Sequence, residues 1–476
     1  MQNCTNLFHG NVLNDFCSIL SGEKSVTLQE NGVEQCRTFA RRDGSSIAAA
    51  DRITAGRDLF MNDRRPVVVG YDAVSPLGIS FEEQWDRAAS GQSGVGLLTR
   101  FPLRENFPVH AAGQVPEADL TPYPFLRPRE MVHWKSPIFK YGMLVVHRTL
   151  QKIGLEITRE LSPRVATTFS TAIGGLDAVL DADRALVQSG QLPKPYVNPN
   201  SCINMVGGKV SILTNATGPI LTTVTACATG STSLIIGSLL LQNNMADVVI
   251  CGAVDFPLVE SIVAGFATMN GAYQDSPDYA PEPPACASRP FSAGRRGFII
   301  SEGAGCVVLS TREFAQEHGL SFSLELAGWS MTADAYHTVA PREETIVHCI
   351  DGALKHAGIN PGAVAAVNAH ATSTRVGDEV EYKALRRIFQ DRIPPVSANK
   401  SMIGHAMGAS SSIEGIFAME GMMRSTILPT INYTPDPAID LDCVPGTART
   451  LQQEYVLKNA FGFGGANACI IVHRIR

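Results

Sequence analysis

From residue 67 onward, short apolar runs alternate with segments of helical length, and this alternation restricts the chain to a layered α/β fold. The runs at 67–70, 164–169, 248–252 and 305–309 read as strands, with helices at 81–90 and 138–152 between them. The pattern then recurs. Strands are predicted at 323–327, 365–368, 395–397 and 469–472, and helices at 343–357, 378–389 and 410–423. Each half opens with a strand and closes on a pair of strands rich in small residues. That predicts two duplicated halves, residues 64–318 and 319–476. The proline-rich stretch 275–290 reads as a loop, as does 189–200.

One stretch concentrates the chemistry. Thr225-Ala226-Cys227-Ala228-Thr229-Gly230 follows a β-branched run at 219–224 and precedes small and apolar residues at 230–241. A strand, a sharp turn and a buried helix starting near Cys227 are predicted. A cysteine at a helix N-terminus faces unpaired N–H groups and the positive end of the dipole, which favours thiolate, the nucleophilic form.

Several function classes are excluded by composition. The formal net charge is -6, so no global basic character argues for nucleic acid. No apolar run approaches the roughly 18 residues a membrane span needs. The 11 cysteines show no CxxC spacing, and Cys251, Cys306 and Cys469 sit in strand-like runs as small hydrophobes. A reducing, cytoplasmic setting and no metal site are expected. Residues 1–63 lack sustained periodicity and form an N-terminal extension. Either Met61 is the natural start and the upstream residues are over-translated, or they form a functional arm.

Four downstream motifs complete the pattern. They are Asn368-Ala369-His370-Ala371-Thr372-Ser373-Thr374, then Asn399-Lys400-Ser401-Met402-Ile403-Gly404-His405 leading to Glu414, then Phe461-Gly462-Phe463-Gly464-Gly465, and Ser301-Glu302-Gly303-Ala304-Gly305. Together with the cysteine turn and Asp334-Ala335-Tyr336-His337, in this order, the chain resembles the β-ketoacyl-acyl-carrier-protein synthases of the synthase II type. The resemblance covers residues 65–476 and implies a thiolase-like α-β-α-β-α layering and a homodimer.

The residues suit that chemistry. Cys227 would take an acyl group as a thioester. Loss of carbon dioxide from a malonyl thioester leaves an enolate, whose oxygen needs donors fixed in a water-poor site. His370 and His405 qualify, because imidazole donates while neutral. The resemblance implies that the backbone N–H groups of Cys227 and Phe463 hold the tetrahedral oxyanion. It also implies that Phe463, with Gly464, gates the acyl pocket and that Thr372 and Thr374 bind pantetheine. Lys400 would supply a fixed positive charge, and Glu414 would be its partner or that of a nearby water. Other readings stand beside these: Thr372 and Thr374 could cap the helix near Asp378, Lys400 could be a salt-bridged surface lysine, Glu414 a solvated helical glutamate, and Glu302 could be structural.

No cofactor is expected beyond the phosphopantetheine arm of an acyl carrier protein. Carrier proteins are acidic, so a locally basic docking face is expected from Arg127, Arg129, Lys135, Arg295 and Arg296, whose other reading is solvated surface. The chain departs from the usual pattern at Ala371, where glycine is usual, and at Ser410-Ser411-Ser412, where alanine and glycine are usual. It also departs in a longer loop over 271–286 and in the basic Arg295-Arg296. A non-catalytic chain-length partner is the competing function, and Cys227 with both histidines argues against it. A degradative thiolase would need a second cysteine in the C-terminal glycine loop. An initiating synthase would need asparagine in place of His405.

Overall fold

The structure is a computed structural model that describes residues 65–475 apart from 270 and 276–281. The expectations for residues 1–63 therefore lie outside the described residues. Nine strands form one mixed sheet: β1 (Pro66–Val74), β2 (Val165–Thr167), β3 (Val248–Asp255), β4 (Gly303–Thr311), β5 (Leu324–Ala333), β6 (Val364–Asn368), β7 (Val396–Ser397), β8 (Tyr455–Gly462) and β9 (Ala466–Arg474). Their spatial order is β2-β3-β4-β1-β5-β9-β8-β6-β7.

That order is one wiring used twice. In the first half β1 lies antiparallel to β4, β4 antiparallel to β3, and β3 parallel to β2. In the second half β5 lies antiparallel to β9, β9 antiparallel to β8, and β8 parallel to β6, which is parallel to β7. The halves join where Val67 and Val68 of β1 meet Glu325 and Leu324 of β5.

The predicted strand at 219–224 occupies the place that β7 holds in the second half, but it is not a strand. It makes one parallel bridge, Ile220 to Thr167, closed by Thr167 N–H to the Pro219 carbonyl and Leu221 N–H to the Thr167 carbonyl, both 2.9 Å. It is the sheet's open edge in this chain, and Ile220, Leu221 and Val224 are each 42% exposed. The predicted loop at 189–200 also needs correction, since its end enters a short helix, Val197–Ser201. Within 275–290, the described residues hold a single 3₁₀ turn, Pro284–Cys286.

Among the helices are α1 (Phe81–Ala89), α2 (Pro137–Ile153), α3 (Leu176–Ser189), α4 (Thr229–Gln242), α5 (Glu343–Ala357), α6 (Arg375–Phe389) and α7 (Met407–Met423). Strand alternation sorts the side chains into layers. Val67, Val69, Val248, Ile250 and Val308 face outward onto α2, while Val68, Val249, Val307 and Leu309 face the middle. In the second half Val367, Leu457 and Ile471 pack on α5 and α6, and Ala366, Val456, Ala460 and Ile470 face the middle. The result is the expected five-layer arrangement with α4 and α7 at its centre.

These two central helices lack a polar face because nearly all of their surface is buried. Every residue of α7 except Glu420 and Met423 is buried. Small residues let them touch. A Cβ on Gly230 would lie 2.5 Å from the Ser412 backbone nitrogen, so α4 and α7 are in near-backbone contact. Each follows the third strand position of its half, and the turn before each carries a predicted reacting group, Cys227 or His405.

Candidate active site

The turn before α4 explains its sequence. Ala226 takes a left-handed φ of 48°, which reverses the chain within a 3₁₀ turn, Ala226–Ala228. Thr229 pins that turn: its hydroxyl donates to the Ala226 carbonyl at 2.7 Å and accepts from Thr225 N–H at 3.0 Å. Cys227 therefore sits one step before the α-helix. The glycine loop closes over the same turn. A Cβ on Gly462 would lie 2.2 Å from the Thr225 carbonyl oxygen, so only glycine lets the end of β8 approach so closely. This contact brings the backbone N–H of Phe463 to the sulfur, beside that of Cys227 itself.

The expectation of a resting thiolate is not met. Burial pushes the Cys227 thiol up to about 11, and Lys400 and the two N–H groups offset this only in part. The sulfur instead lies 3.0 Å from His405 Nε2, and His405 Nδ1 lies 2.9 Å from the Ser410 hydroxyl. A hydroxyl can donate to Nδ1 or accept from it, so Ser410 supports either tautomer of His405.

His370 completes the group. Its ring packs edge-on against His405 with centroids 5.9 Å apart, and against Phe461 at 5.5 Å. Its Nδ1 is buried with no protein hydrogen bond. Burial first, then the neighbouring ammonium groups of Lys400 and Lys458, hold both imidazoles well below their usual range. Both rings are therefore neutral near pH 7. His370 is set by its backbone. Its N–H and that of Ala371 donate to the two oxygens of Glu381 at 2.9 and 2.7 Å, and its carbonyl accepts from Lys400 Nζ at 2.5 Å. Ala371, where the sequence suggested a need for positive φ, has φ 31°.

Lys400 is not a surface residue. It is buried and donates to Glu414 Oε1 at 2.6 Å, while Glu414 Oε2 accepts from Lys458 Nζ at 2.7 Å. Sequence reasoning missed Lys458, Glu381 and Asp255. Lys458 had a legible signal, since in a strand it falls on the same face as Val456 and Ala460. Asp255, raised to about 6 by burial, accepts from the Thr171 hydroxyl and from the N–H groups of Ala172 and Ile173, and so fixes a loop beside α7.

Cys227, His370, His405, Thr372, Thr374 and Phe463 all line one cavity of about 780 Å³. Thr374 also caps α6, its hydroxyl accepting from Gly377 N–H at 3.2 Å, which explains why that helix starts before residue 378. Thr372 and Thr374 hydroxyls lie 3.0 Å apart. Gly464 is exposed and is not part of the cavity wall; its N–H donates to the Thr338 carbonyl at 2.7 Å. Glu302 is structural, held by Arg100 and the Val115 N–H.

The docking set needs correction. Arg295 is buried, donating to Asp436 and to the carbonyls of Ser292, Thr374 and Arg375. It ties the loop at 292–295 to α6. Arg296 is mostly enclosed by Glu282 and Tyr273, and it lines the cavity instead of the outer surface. Arg127, Arg129 and Lys135 are exposed.

Comparison with known proteins places this geometry. Residues 63–315 match the β-ketoacyl synthase N-terminal domain, and residues 324–434 match the β-ketoacyl synthase C-terminal domain. The chain belongs to the β-ketoacyl synthase family. It is a condensing acyltransferase with a thiolase-like fold. It is 34% identical over 422 residues to 3-oxoacyl-[acyl-carrier-protein] synthase 2 of Coxiella burnetii (strain RSA 493 / Nine Mile phase I), covering 87% of this chain and 100% of that protein. The synthase 2 of Vibrio harveyi is also 34% identical, over 423 residues, with the same coverage. Among solved structures, a β-ketoacyl synthase from Burkholderia phymatum STM815 superposes with a TM-score of 0.79 at 28% identity, covering 87% of this chain and 100% of that one. A chain from a type II polyketide-synthase acyl-carrier protein in complex with its ketosynthase, bound to the hexaketide, gives 0.79 at 27% with the same coverage.

The raised thiol makes a direct prediction for this synthase. Alkylation of Cys227 by iodoacetamide should keep accelerating as pH rises from 7 toward about 11, because the thiolate fraction grows throughout. Peptide-resolved mass spectrometry of timed reactions measures it. A rate that is flat above pH 7 would mean a resting thiolate.

Proposed function

We propose that this synthase transfers an acyl group to Cys227 and condenses it with a decarboxylated malonyl unit, both substrates arriving as thioesters on the phosphopantetheine of an acyl carrier protein. The sulfur attacks the acyl thioester carbonyl and the carrier thiol leaves with the proton. His405 Nε2 is the base within reach, at 3.0 Å from the sulfur. A malonyl thioester then loses carbon dioxide, and the electron pair of the broken bond becomes the enolate. Its oxygen accepts from the ring N–H groups of His370 and His405. The enolate carbon attacks the Cys227 thioester, and the oxyanion accepts from the N–H groups of Cys227 and Phe463. Collapse expels the Cys227 sulfur and leaves a 3-oxoacyl thioester on the carrier.

The observation that carries this reading is the pair of neutral imidazoles beside one sulfur in a single cavity. A protonated imidazole cannot serve as base, and an ammonium cannot donate while neutral. Water-poor surroundings strengthen each hydrogen bond to the developing charge. Lys400 and Glu414 act through the His370 carbonyl and position the first histidine. Thr372 and Thr374 hydrogen-bond the pantetheine arm, and Phe463, half-buried against the apolar cluster that includes Met407, gates the acyl end. The products feed fatty acid or related polyketide synthesis. A non-catalytic chain-length partner would have no use for this constellation.

The carrier docks on Arg127, Arg129 and Lys135, whose exposed charges suit an acidic partner. A second copy of the chain covers the open edge at 219–224, where exposed apolar side chains leave an unpaired sheet margin. The protein works in the cytoplasm. Among the described residues no helix is long and apolar enough to cross a membrane.

Three measurements test these points. Intact mass spectrometry after incubation with acyl-carrier thioesters should show an acyl adduct that disappears in Cys227→Ala; a persistent adduct would assign the nucleophile elsewhere. Charge reversal at Arg127 and Lys135 should raise KM for carrier-borne substrate several-fold, with little change for a pantetheine thioester. Equal losses with both substrates would remove these residues from docking. Ile220→Lys with Leu221→Lys should convert the species seen by light scattering from dimer to monomer, and a wild type that is already monomeric would overturn the homodimer.

A further inference from the structure

Lys458 stands in the middle of β8, on the face turned to the central helices, and its side chain is 3% exposed. Its ammonium donates to Glu414 Oε2 at 2.7 Å and to the Asn459 carbonyl at 2.8 Å. The other oxygen of the same carboxylate accepts from Lys400 at 2.6 Å. One buried carboxylate thus serves two buried ammonium groups. Stability alone is a poor reason for this. A single Lys–Glu pair is already compensated, and a second ammonium adds a further desolvation penalty while sharing the same hydrogen-bonded carboxylate.

We propose that Lys458 is a positioning residue for the condensation: with Lys400 and Glu414 it forms an ammonium–carboxylate–ammonium triad linked by hydrogen bonds to the backbone of His370, and its positive charge acts on both histidines. This deepens the reading of the site given above and rests on it. The triad reaches the reacting groups through atoms already described. Lys400 holds the His370 carbonyl, and Asn459, next in the chain to Lys458, donates from Nδ2 to Glu381 Oε1 at 3.0 Å. Glu381 in turn holds the backbone of His370 and Ala371.

The groups facing the Lys458 ammonium come from each packed element. They are Glu414 on α7, Lys400 on the turn after β7, Glu381 on α6, Cys469 on β9, and the two imidazoles. Glu381, whose oxygens accept from two backbone N–H groups and from Asn459, is the other carboxylate that faces Lys458. The Lys458 ammonium does two things. It disfavours positive charge on either imidazole, so both remain neutral donors to lower pH. It also favours the negative charge that forms on the enolate oxygen.

The test separates charge from packing and from hydrogen bonding. Lys458→Met keeps the stem and removes the charge. Lys458→Gln keeps a donor toward Glu414 and removes the charge. Lys458→Arg keeps the charge. The readouts are the pH dependence of malonyl-thioester decarboxylation and the ring titration of His370 and His405 by NMR in selectively labelled protein. Removing a nearby positive charge raises an imidazole pKa. The acidic limb should therefore move to higher pH by roughly one unit in the Met and Gln variants and return toward wild type in the Arg variant. The plateau rate should fall roughly tenfold with the charge. Limbs and ring titrations that stay in place in both Met and Gln variants would overturn the proposal, whatever the rate loss. If the Met variant does not fold, the Gln variant alone decides. Wild-type protein with no acyl adduct on Cys227 would instead overturn the condensing role, and the NMR titration would still report on Lys458.

Discussion

The near-backbone contact between α4 and α7 is the constraint on which the site depends. Gly230 leaves no room for a Cβ against Ser412, so the two helices run together through the middle of the molecule. Each belongs to a different half of the chain, and each follows the third strand position of the same wiring. Their leading turns are therefore neighbours. One turn carries Cys227 and the other His405, 178 residues apart in sequence and 3.0 Å apart in space. A chain that doubles a helix–sheet unit and packs the two copies on their central helices brings two unrelated loops together without any dedicated connection. The third participant, His370, comes from the end of β6, where the second half presents its strand termini to the same cavity.

Burial sets the electrostatic problem of this site. Removal from solvent strengthens every hydrogen bond to a developing negative charge, but it also raises the Cys227 thiol to about 11 and suppresses charge on both imidazoles. The first effect opposes nucleophilicity; the second keeps both rings unprotonated and able to donate while neutral, at a cost in basicity. The arrangement resolves the conflict by geometry. The sulfur does not rest as thiolate; it lies against a neutral imidazole that can take its proton when an acyl thioester arrives. Positive charge is kept one step away, on lysines that touch the His370 carbonyl and Glu414 and make no bond to the sulfur.

The fold was largely legible because its layers are apolar on alternate strand residues and its central helices are apolar all round. Helix α5 is found at the predicted residues 343–357. The edge at 219–224 misled because a β-branched run reads as a strand whether or not a neighbour exists to pair with it. The cluster of Cys227, His370 and His405 was legible because the short motifs carry their own turn chemistry. The basic residues were not. Arg295 and Arg296 are adjacent and look equivalent in the sequence. Yet Arg295 is buried among carbonyls and Asp436, while Arg296 turns to Glu282 and Tyr273 at the cavity wall. Exposure of a charge in a loop depends on which segment crosses over it, and no local pattern encodes that. Lys458 was missed for the opposite reason. A lysine in a strand is read as solvated, and only the burial of both faces of β8 makes it an interior cation.

The two departures at residues 371 and 410 fall where a side chain or backbone group gains a specific partner. Ala371 has a φ of 31°, a conformation that glycine adopts at no steric cost and alanine does not. The Glu381 carboxylate accepts from its N–H at 2.7 Å and from that of His370, so one buried anion holds the strained residue in register with the histidine before it. Ser410 introduces a hydroxyl into a helix otherwise chosen for small size. That hydroxyl meets His405 Nδ1 at 2.9 Å, in a region where a buried ring nitrogen has few alternatives. An alanine there would leave Nδ1 without this contact. Ser410 instead lets the imidazole present either an acceptor or a donor at Nε2, as the proposed condensation requires, because its own O–H can turn to complement either tautomer.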